Sequence, residues 1–247
     1  MPPRSKESYS IQSVDNALNV LEALSDEGDE IRISQLSERL GMNKTSVFRL
    51  LATFESRGYV ERERETGKYR LGLSAYEIGQ KLLSRMVVLR HARPAMERLA
   101  RECGEAVYLA VRRESEVLFL DMVDSLQQVK VTALTGRRYP LDAVAAGRAI
   151  LAFSPPAAAV SGIAAADLAA IRASGLASDR DALGDGTASL ATPIFRSGKE
   201  LAGSLCLIGP AFRLATEQFR KEFAPRLRDA AEIVSSRLGY LGRYLER

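Results

Sequence analysis

The stretch Ile33-Ser34-Gln35-Leu36-Ser37-Glu38-Arg39-Leu40-Gly41-Met42-Asn43-Lys44-Thr45-Ser46-Val47-Phe48-Arg49-Leu50-Leu51 decides how the chain is read. Leu36 and Leu40 share one face of a short helix, and Gly41 is placed to end it in the left-handed conformation. Ser34, with Ser37 and Glu38 behind it, resembles a capping arrangement one residue out of register. Two residues past the glycine, Asn43 can cap a second helix running to about Arg57. Two short helices joined by a tight glycine turn make a helix-turn-helix. In the second helix Val47, Leu50, Leu51 and Phe54 follow the i, i+3, i+4, i+7 series of a core face. Lys44, Thr45, Ser46, Arg49 and Thr53 are left outside. These side-chain types reach phosphates and base edges, and the N-terminal residues of such a helix come closest to the bases.

Upstream, Val14, Ala17, Leu18, Leu21 and Leu24 form one stripe of a helix from about Ser13 to Ser25, with Ser13 as its expected cap. Met1 to Ser8 reads as a polar arm, and Asp26 to Glu30 as a charged loop. Downstream of Gly58 the period changes. Tyr59–Arg62 and Lys68–Leu71 read as two strands around a Glu65-Thr66-Gly67 turn. The resulting wing carries Arg62, Arg64, Lys68 and Arg70, a basic set suited to the phosphate backbone or an adjacent minor groove. Glu61, Glu63 and Glu65 interleave with it, so a solvated charge run is the plain alternative.

Charge supports placement rather than bulk attraction. The net charge is +4, yet residues 1–72 hold 11 Lys/Arg against 12 Asp/Glu. Between Lys44 and Arg70 the balance turns to seven basic residues against four acidic. Hydrophobic residues make up 46% and charged residues 27%, enough for real cores and a solvated surface. No apolar run approaches the ~18 residues of a membrane span. The polar N-terminus lacks a signal core, so a cytoplasmic protein is expected. Two distant cysteines, Cys103 and Cys206, in apolar contexts predict buried free thiols.

The remainder predicts a helix from about Ser74, with Pro94 in the first turn of a second helix starting near Arg93. Strands are expected at Val107–Arg113, Val117–Val123, Val129–Leu134, Leu190–Phe195 and Leu201–Ile208. Helices are expected at Ala145–Phe153, within the alanine-rich 157–173 with Asp167 near its cap, and from Thr216 to about Tyr244 with a kink or break at Pro225. The fold class is α+β: residues 1–73 a winged helix-turn-helix, 74–87 a linker helix, and 88–247 an α/β domain with a mainly antiparallel sheet. Asp179, Asp181 and Asp185 read as a loop rim with Asx-type turns around Gly184 and Gly186, Asp179 reaching inward.

Several chemistries lack their residues. One histidine, His91, and no cysteine–histidine cluster leave few ligands for a metal. There is no phosphate-loop motif and no nucleophile elbow. No cofactor and no catalytic residues are expected, so an enzyme with an incidental helix-turn-helix is the weaker reading. A structural DNA-binding protein without a ligand is the other competitor.

Taken in order, these residues resemble the IclR-type bacterial transcription regulators over about Ser10 to Gly239. The match is carried by Gly41-Met42-Asn43-Lys44-Thr45-Ser46-Val47-Phe48-Arg49-Leu50-Leu51, Gly58-Tyr59-Val60 and Tyr69-Arg70-Leu71-Gly72. It continues through Gly136-Arg137-Arg138-Tyr139-Pro140-Leu141, Ala146-Gly147-Arg148-Ala149-Ile150-Leu151-Ala152 and Ala191-Thr192-Pro193-Ile194. The resemblance implies a GAF-like effector-binding domain, a homodimer or tetramer, and effectors that are small organic acids or aromatic catabolites; the function expected is a ligand-responsive repressor of a small catabolic operon on double-stranded operator DNA. Carried over residue by residue, the effector positions are Ala145, Ala146, Asp179, Ser189, Cys206 and Ile208. Ser189 stands where the small-acid sensors carry a cysteine, and Cys206 and Ile208 where they carry serines. The implied pocket is therefore more apolar and suits an aromatic or larger apolar acid. The apolar faces of the first helix and the linker helix are the expected dimer contacts.

Overall fold

The computed structural model describes residues 10–26, 30–155 and 162–242. The expected polar arm at 1–8, most of the charged loop, part of the alanine-rich run and the last residues assigned to the closing helix lie outside these. The chain divides into two compact units, Met1–Arg85 and Met86–Arg247.

In the first unit α1 (Gln12–Asp26), α2 (Ile33–Arg39) and α3 (Lys44–Ser56) precede β1 (Val60–Arg62), β2 (Tyr69–Leu71) and α4 (Leu73–Arg85). Val20, Leu24, Ile31, Leu36, Val47 and Leu51 are buried together, with Leu50 and Phe54 packed against them. Burying such side chains contributes roughly 1.5–3 kcal/mol each. The β1–β2 hairpin is antiparallel with Glu61 opposite Arg70, and an isolated bridge adds Ile31 beside Tyr69. Two expected caps are corrected. The N–H groups of Val14 and Asp15 bond the Ile11 carbonyl, so the first helix opens one residue early and Ser13 lies inside its first turn. Ser34 likewise lies inside α2, whose start is closed by the Arg32 N–H donating to Gln35 Oε1 at 3.0 Å.

The second unit begins with α5 (Val87–Cys103), followed by β3 (Ala106–Arg113), β4 (Glu116–Val123), β5 (Arg138–Pro140), α6 (Ala145–Phe153) and α7 (Ala165–Ser174). It closes with β6 (Ala177–Arg180), β7 (Thr187–Arg196), β8 (Glu200–Pro210), α8 (Ala211–Leu214) and α9 (Glu217–Arg237). The sheet is antiparallel in the order β5-β4-β3-β8-β7-β6. Alternate residues face opposite layers. Val107, Leu109, Leu190, Leu205 and Leu207 pack with Met96 and Leu99 of α5 and Leu227 and Val234 of α9. Ala106, Tyr108, Ala191, Cys206 and Ile208 pack with Ala145, Ala146 and Ile150 of α6. The expected antiparallel α/β layering is present.

Four details depart from expectation. Pro94 lies inside α5 rather than in a first turn, and Pro225 lies inside α9 without ending it. Both prolines are on exposed positions, so the carbonyl each leaves without an N–H partner can turn to solvent. Val129–Leu134 is not a strand: β4 gives its outer edge to β5 instead, through Glu116–Pro140 and Leu118–Arg138. Asp179 sits on β6, not in a loop, opposite Ser189. Asp181 does form the expected local turn, accepting from the Gly186 N–H at 2.7 Å.

Candidate functional site

Two groups of residues have the chemistry of a site, one in each unit. The first is built on the turn between α2 and α3. Gly41 takes φ +61°. The Gly41 N–H donates to the Glu38 carbonyl at 3.2 Å and the Met42 N–H to the Ser37 carbonyl at 3.0 Å. That pair of bonds is the Schellman closure, and it needs a residue without a Cβ penalty at its centre. Asn43 then accepts the Ser46 N–H at 2.8 Å, starting α3 immediately. The local sequence thus fixes where α3 begins, and Lys44 and Thr45 stand exposed on its first turn with Arg49 exposed beyond them. Neither Lys44 nor Arg49 has an ion pair among the described residues.

The other predicted contacts divide. Ser46 is half-buried, and the Thr53 hydroxyl donates back to the Arg49 carbonyl at 2.9 Å. On the wing Arg62 lies over the Tyr69 ring at 5.6 Å, and Arg64 is exposed. Arg70 is bonded to its cross-strand neighbour Glu61 at 3.0 Å, and Lys68 approaches Glu30 at 3.5 Å. Exposed pairs of this kind contribute little to stability and are screened by salt. Phe48, absent from the sequence-derived set, is 51% exposed on α3. Its position off the core series was the available signal.

The second group collects at the start of α6. Cross-strand pairing puts Asp179 beside Ser189, Ser189 beside Ile208, and Ile208 beside Ala106. The adjoining row runs Ala191, Cys206, Tyr108. Ala145 and Ala146 cover this face from α6. All six predicted effector positions are therefore neighbours, drawn from β6, β7, β8 and α6. Asp179 Oδ2 accepts the Ala145 N–H and so caps α6, whose own preceding residue, Val144, offers no side-chain cap. Gly147 lets α6 approach: a Cβ there would fall 2.2 Å from the Leu141 carbonyl oxygen.

Three polar atoms in this group are buried without a hydrogen bond among the described residues: Tyr108 Oη, Asp179 Oδ1 and Ser189 Oγ. Such orphans in a folded interior call for a partner. Tyr108 was not in the sequence-derived set. Its signal was a hydroxyl in the apolar run Ala106–Val111, on the face shared with Ala106 and Ala110. Burial pushes the Asp179 carboxyl above the ordinary carboxylate range, against the pull of the nearby Ser189 hydroxyl, the Ala145 N–H and the Arg148 guanidinium. Burial also pushes the Cys206 thiol up to about 12, which keeps it neutral and a poor nucleophile. Alongside lies an open cleft of about 520 Å³ whose lining includes Leu134, Arg137, Asp185, Thr187, Pro210 and Phe212. No group of three or more metal-ligating side chains occurs among the described residues. No helix among them is long and apolar enough to cross a membrane.

Comparison with known proteins gives both units the same affiliation. Residues 13–64 match the IclR helix-turn-helix domain, and residues 80–167 and 163–236 match the bacterial transcriptional regulator IclR C-terminal domain. The chain is 30% identical to the HTH-type transcriptional regulator KdgR of Dickeya chrysanthemi over 254 residues, covering 95% of this chain and 82% of that one. It is 31% identical to the regulator KipR of Bacillus subtilis, covering 85% and 90%. An IclR homologue from Microbacterium hydrocarbonoxydans, solved in complex with 4-hydroxybenzoate, shares the fold with a TM-score of 0.78 at 22% identity, covering 92% and 98% of the two chains. These relatives are regulators and not enzymes, and the chain belongs to the IclR family of bacterial transcription regulators.

Proposed function

We propose that the protein is a cytoplasmic, ligand-responsive repressor of a small catabolic operon, binding operator DNA as a homodimer or tetramer and responding to a small organic acid, in the first instance an aromatic one. The carrying observation is the bare outer face of the N-terminal half of α3. Lys44, Thr45 and Arg49 are held in place by a glycine turn and an asparagine cap, and the two basic side chains have no ion pair among the described residues. Lys44 and Thr45 serve phosphates, Arg49 a guanine edge, and the exposed Phe48 ring a thymine methyl. Ser46 and Thr53 take lesser parts. On the wing Arg62 and Arg64 meet the backbone directly, and Lys68 and Arg70 do so by exchanging a carboxylate for a phosphate.

In the second unit Ala145, Ala146, Cys206 and Ile208 wall the effector site, and Asp179 and Ser189 supply its polar contacts. The aromatic preference is supported by the apolar Cys206 and Ile208 and by the 4-hydroxybenzoate complex of the Microbacterium homologue. An effector that prefers one arrangement of the dimer shifts the population away from the DNA-competent one by its differential affinity. The test is operator binding at physiological salt. Arg49→Ala should cost about 1–3 kcal/mol and relax base preference at one position. Unchanged affinity would remove Arg49 from recognition.

A further inference from the structure

We propose that the cleft between α9 and the start of β6 is a binding site for a phosphate group, gripped by Arg220 and Arg228 together with the Ser178 hydroxyl. The site is separate from the effector positions and does not depend on the regulator reading. The cleft has a volume of about 430 Å³; Leu176 and Ala224 line it, with Arg220, Lys221, Arg228 and Glu217 around them. Positions 220, 224 and 228 follow at four-residue steps on α9, so the two arginines stand about 12 Å apart along the axis with the small Ala224 between them. Ser178 pairs with Leu190, which packs among residues of α5 and α9, whereas Asp179 pairs with Ser189. Successive strand residues face opposite sides. The cleft therefore lies across the sheet from Asp179, Ser189 and Cys206.

The charges in the cleft do not balance. Its one carboxylate, Glu217, is bonded to Lys221 at 3.2 Å. Arg228 has no ion pair among the described residues, and its Nε is buried without a hydrogen bond. The C-terminus of α7 lies beside it: a Cβ on the capping Gly175 would come 3.9 Å from that Nε. The partial negative charge of a helix end favours a cation there, so the guanidinium is held in place without using its donors. Arg220 donates to Ser178 Oγ at 3.1 Å and has no ion pair among the described residues. A hydroxyl that accepts in this way keeps its own proton to donate.

The donor set selects the anion. Each guanidinium presents a planar fork of N–H groups, and the serine adds a hydroxyl. A carboxylate has two oxygens and is filled by one fork. A phosphate has oxygens for both forks and for the hydroxyl, and its dianion offsets the two unpaired cations. Free phosphate and a phosphate monoester share this chemistry, and the open cleft admits either.

The experiment is calorimetric titration of the full chain with inorganic phosphate, methyl phosphate and acetate, at fixed ionic strength and about pH 8, where both phosphates are dianions. At least one of the two phosphates should saturate a site at millimolar concentration and bind at least about tenfold more tightly than acetate. Tighter binding of methyl phosphate would mark a monoester as the occupant, and tighter binding of the free ion would mark inorganic phosphate. Arg220→Gln and Arg228→Gln should each weaken that binding by at least about tenfold. Arg196→Gln, an exposed residue bonded to Glu200 between β7 and β8, should leave it unchanged. Phosphate should raise the melting temperature of the parent and not that of Arg228→Gln. A purely structural role for Arg228 would instead lower the melting temperature by the same amount with and without phosphate. Arg220 is exposed, so its variant tests the site even if Arg228→Gln fails to fold. No saturation by either phosphate, acetate binding as tightly, or an Arg220→Gln variant with unchanged affinity overturns the proposal.

Discussion

Asp179 caps α6 with one carboxylate oxygen and leaves the other buried and unpaired. Burial outweighs its hydrogen bonds, so its folded pKa lies above the unfolded value. A group shifted in this direction contributes stability in full below the ordinary carboxylate range and loses it as pH rises through the shifted value. Asp179→Asn keeps an acceptor for the Ala145 N–H and removes the charge. The variant should melt higher than the parent at neutral pH, with the difference shrinking as the pH is lowered into the carboxylate range. Melting curves across that range check it, and parallel curves for the two proteins would refute the assignment. In the sequence this residue was legible as an inward-reaching acid but not as part of a strand. Ala177-Ser178-Asp179-Arg180 has no β-branched or aromatic residue, and only pairing with β7 makes it extended.

At the scale of elements, the clearest signal was the one with a local cause. The Gly41 turn and the Asn43 cap need no distant partner, so the helix-turn-helix could be read from residues alone. Asn43→Ala should cost about 1 kcal/mol of stability by freeing the Ser46 N–H. Thermal unfolding of the isolated substitution measures this, and an unchanged midpoint would mean the cap carries nothing. Where an element depends on competition between segments, the sequence was less informative. Val129–Leu134 has the β-branched character of a strand, but Arg138–Pro140 takes the available edge of β4. The displaced segment is held instead by Arg213, which pairs with the buried Glu105 and donates to the Val129 carbonyl at 2.7 Å. Pro94 misled for a similar reason. A proline reads as a helix start, yet exposed on α5 it removes a bond that water replaces.

At the scale of the molecule, α4 buries none of its residues, and Leu73, Tyr76, Ile78 and Leu82 are exposed on it. On α1 Val14 and Leu18 are exposed as well. Apolar surface of this extent marks an interaction face, in keeping with the dimer proposed above. Leu18→Glu combined with Leu82→Glu should convert the dimer to monomers in sedimentation and weaken operator binding. A dimer that survives both changes would place the interface elsewhere. Footprints of the parent should show two half-sites separated by roughly 34–36 Å or a multiple of it. In the sequence the 3.6 period of the first helices gives way to short apolar runs, and those runs are central strands buried on both faces. The assembly is not encoded in any one chain's periodicity, only in what that periodicity leaves uncovered.

The large sheet ends on each side in a stub. β5 has three residues and closes with Pro140, and β6 has four. Short edges and a proline offer little template for another chain to add a strand. The protein can therefore carry a long, apolar central sheet, β7 and β8 among it, with little risk that two copies zip together edge to edge into fibres. Self-association is steered away from the strands, toward the helical surfaces, where it can be specific and reversible.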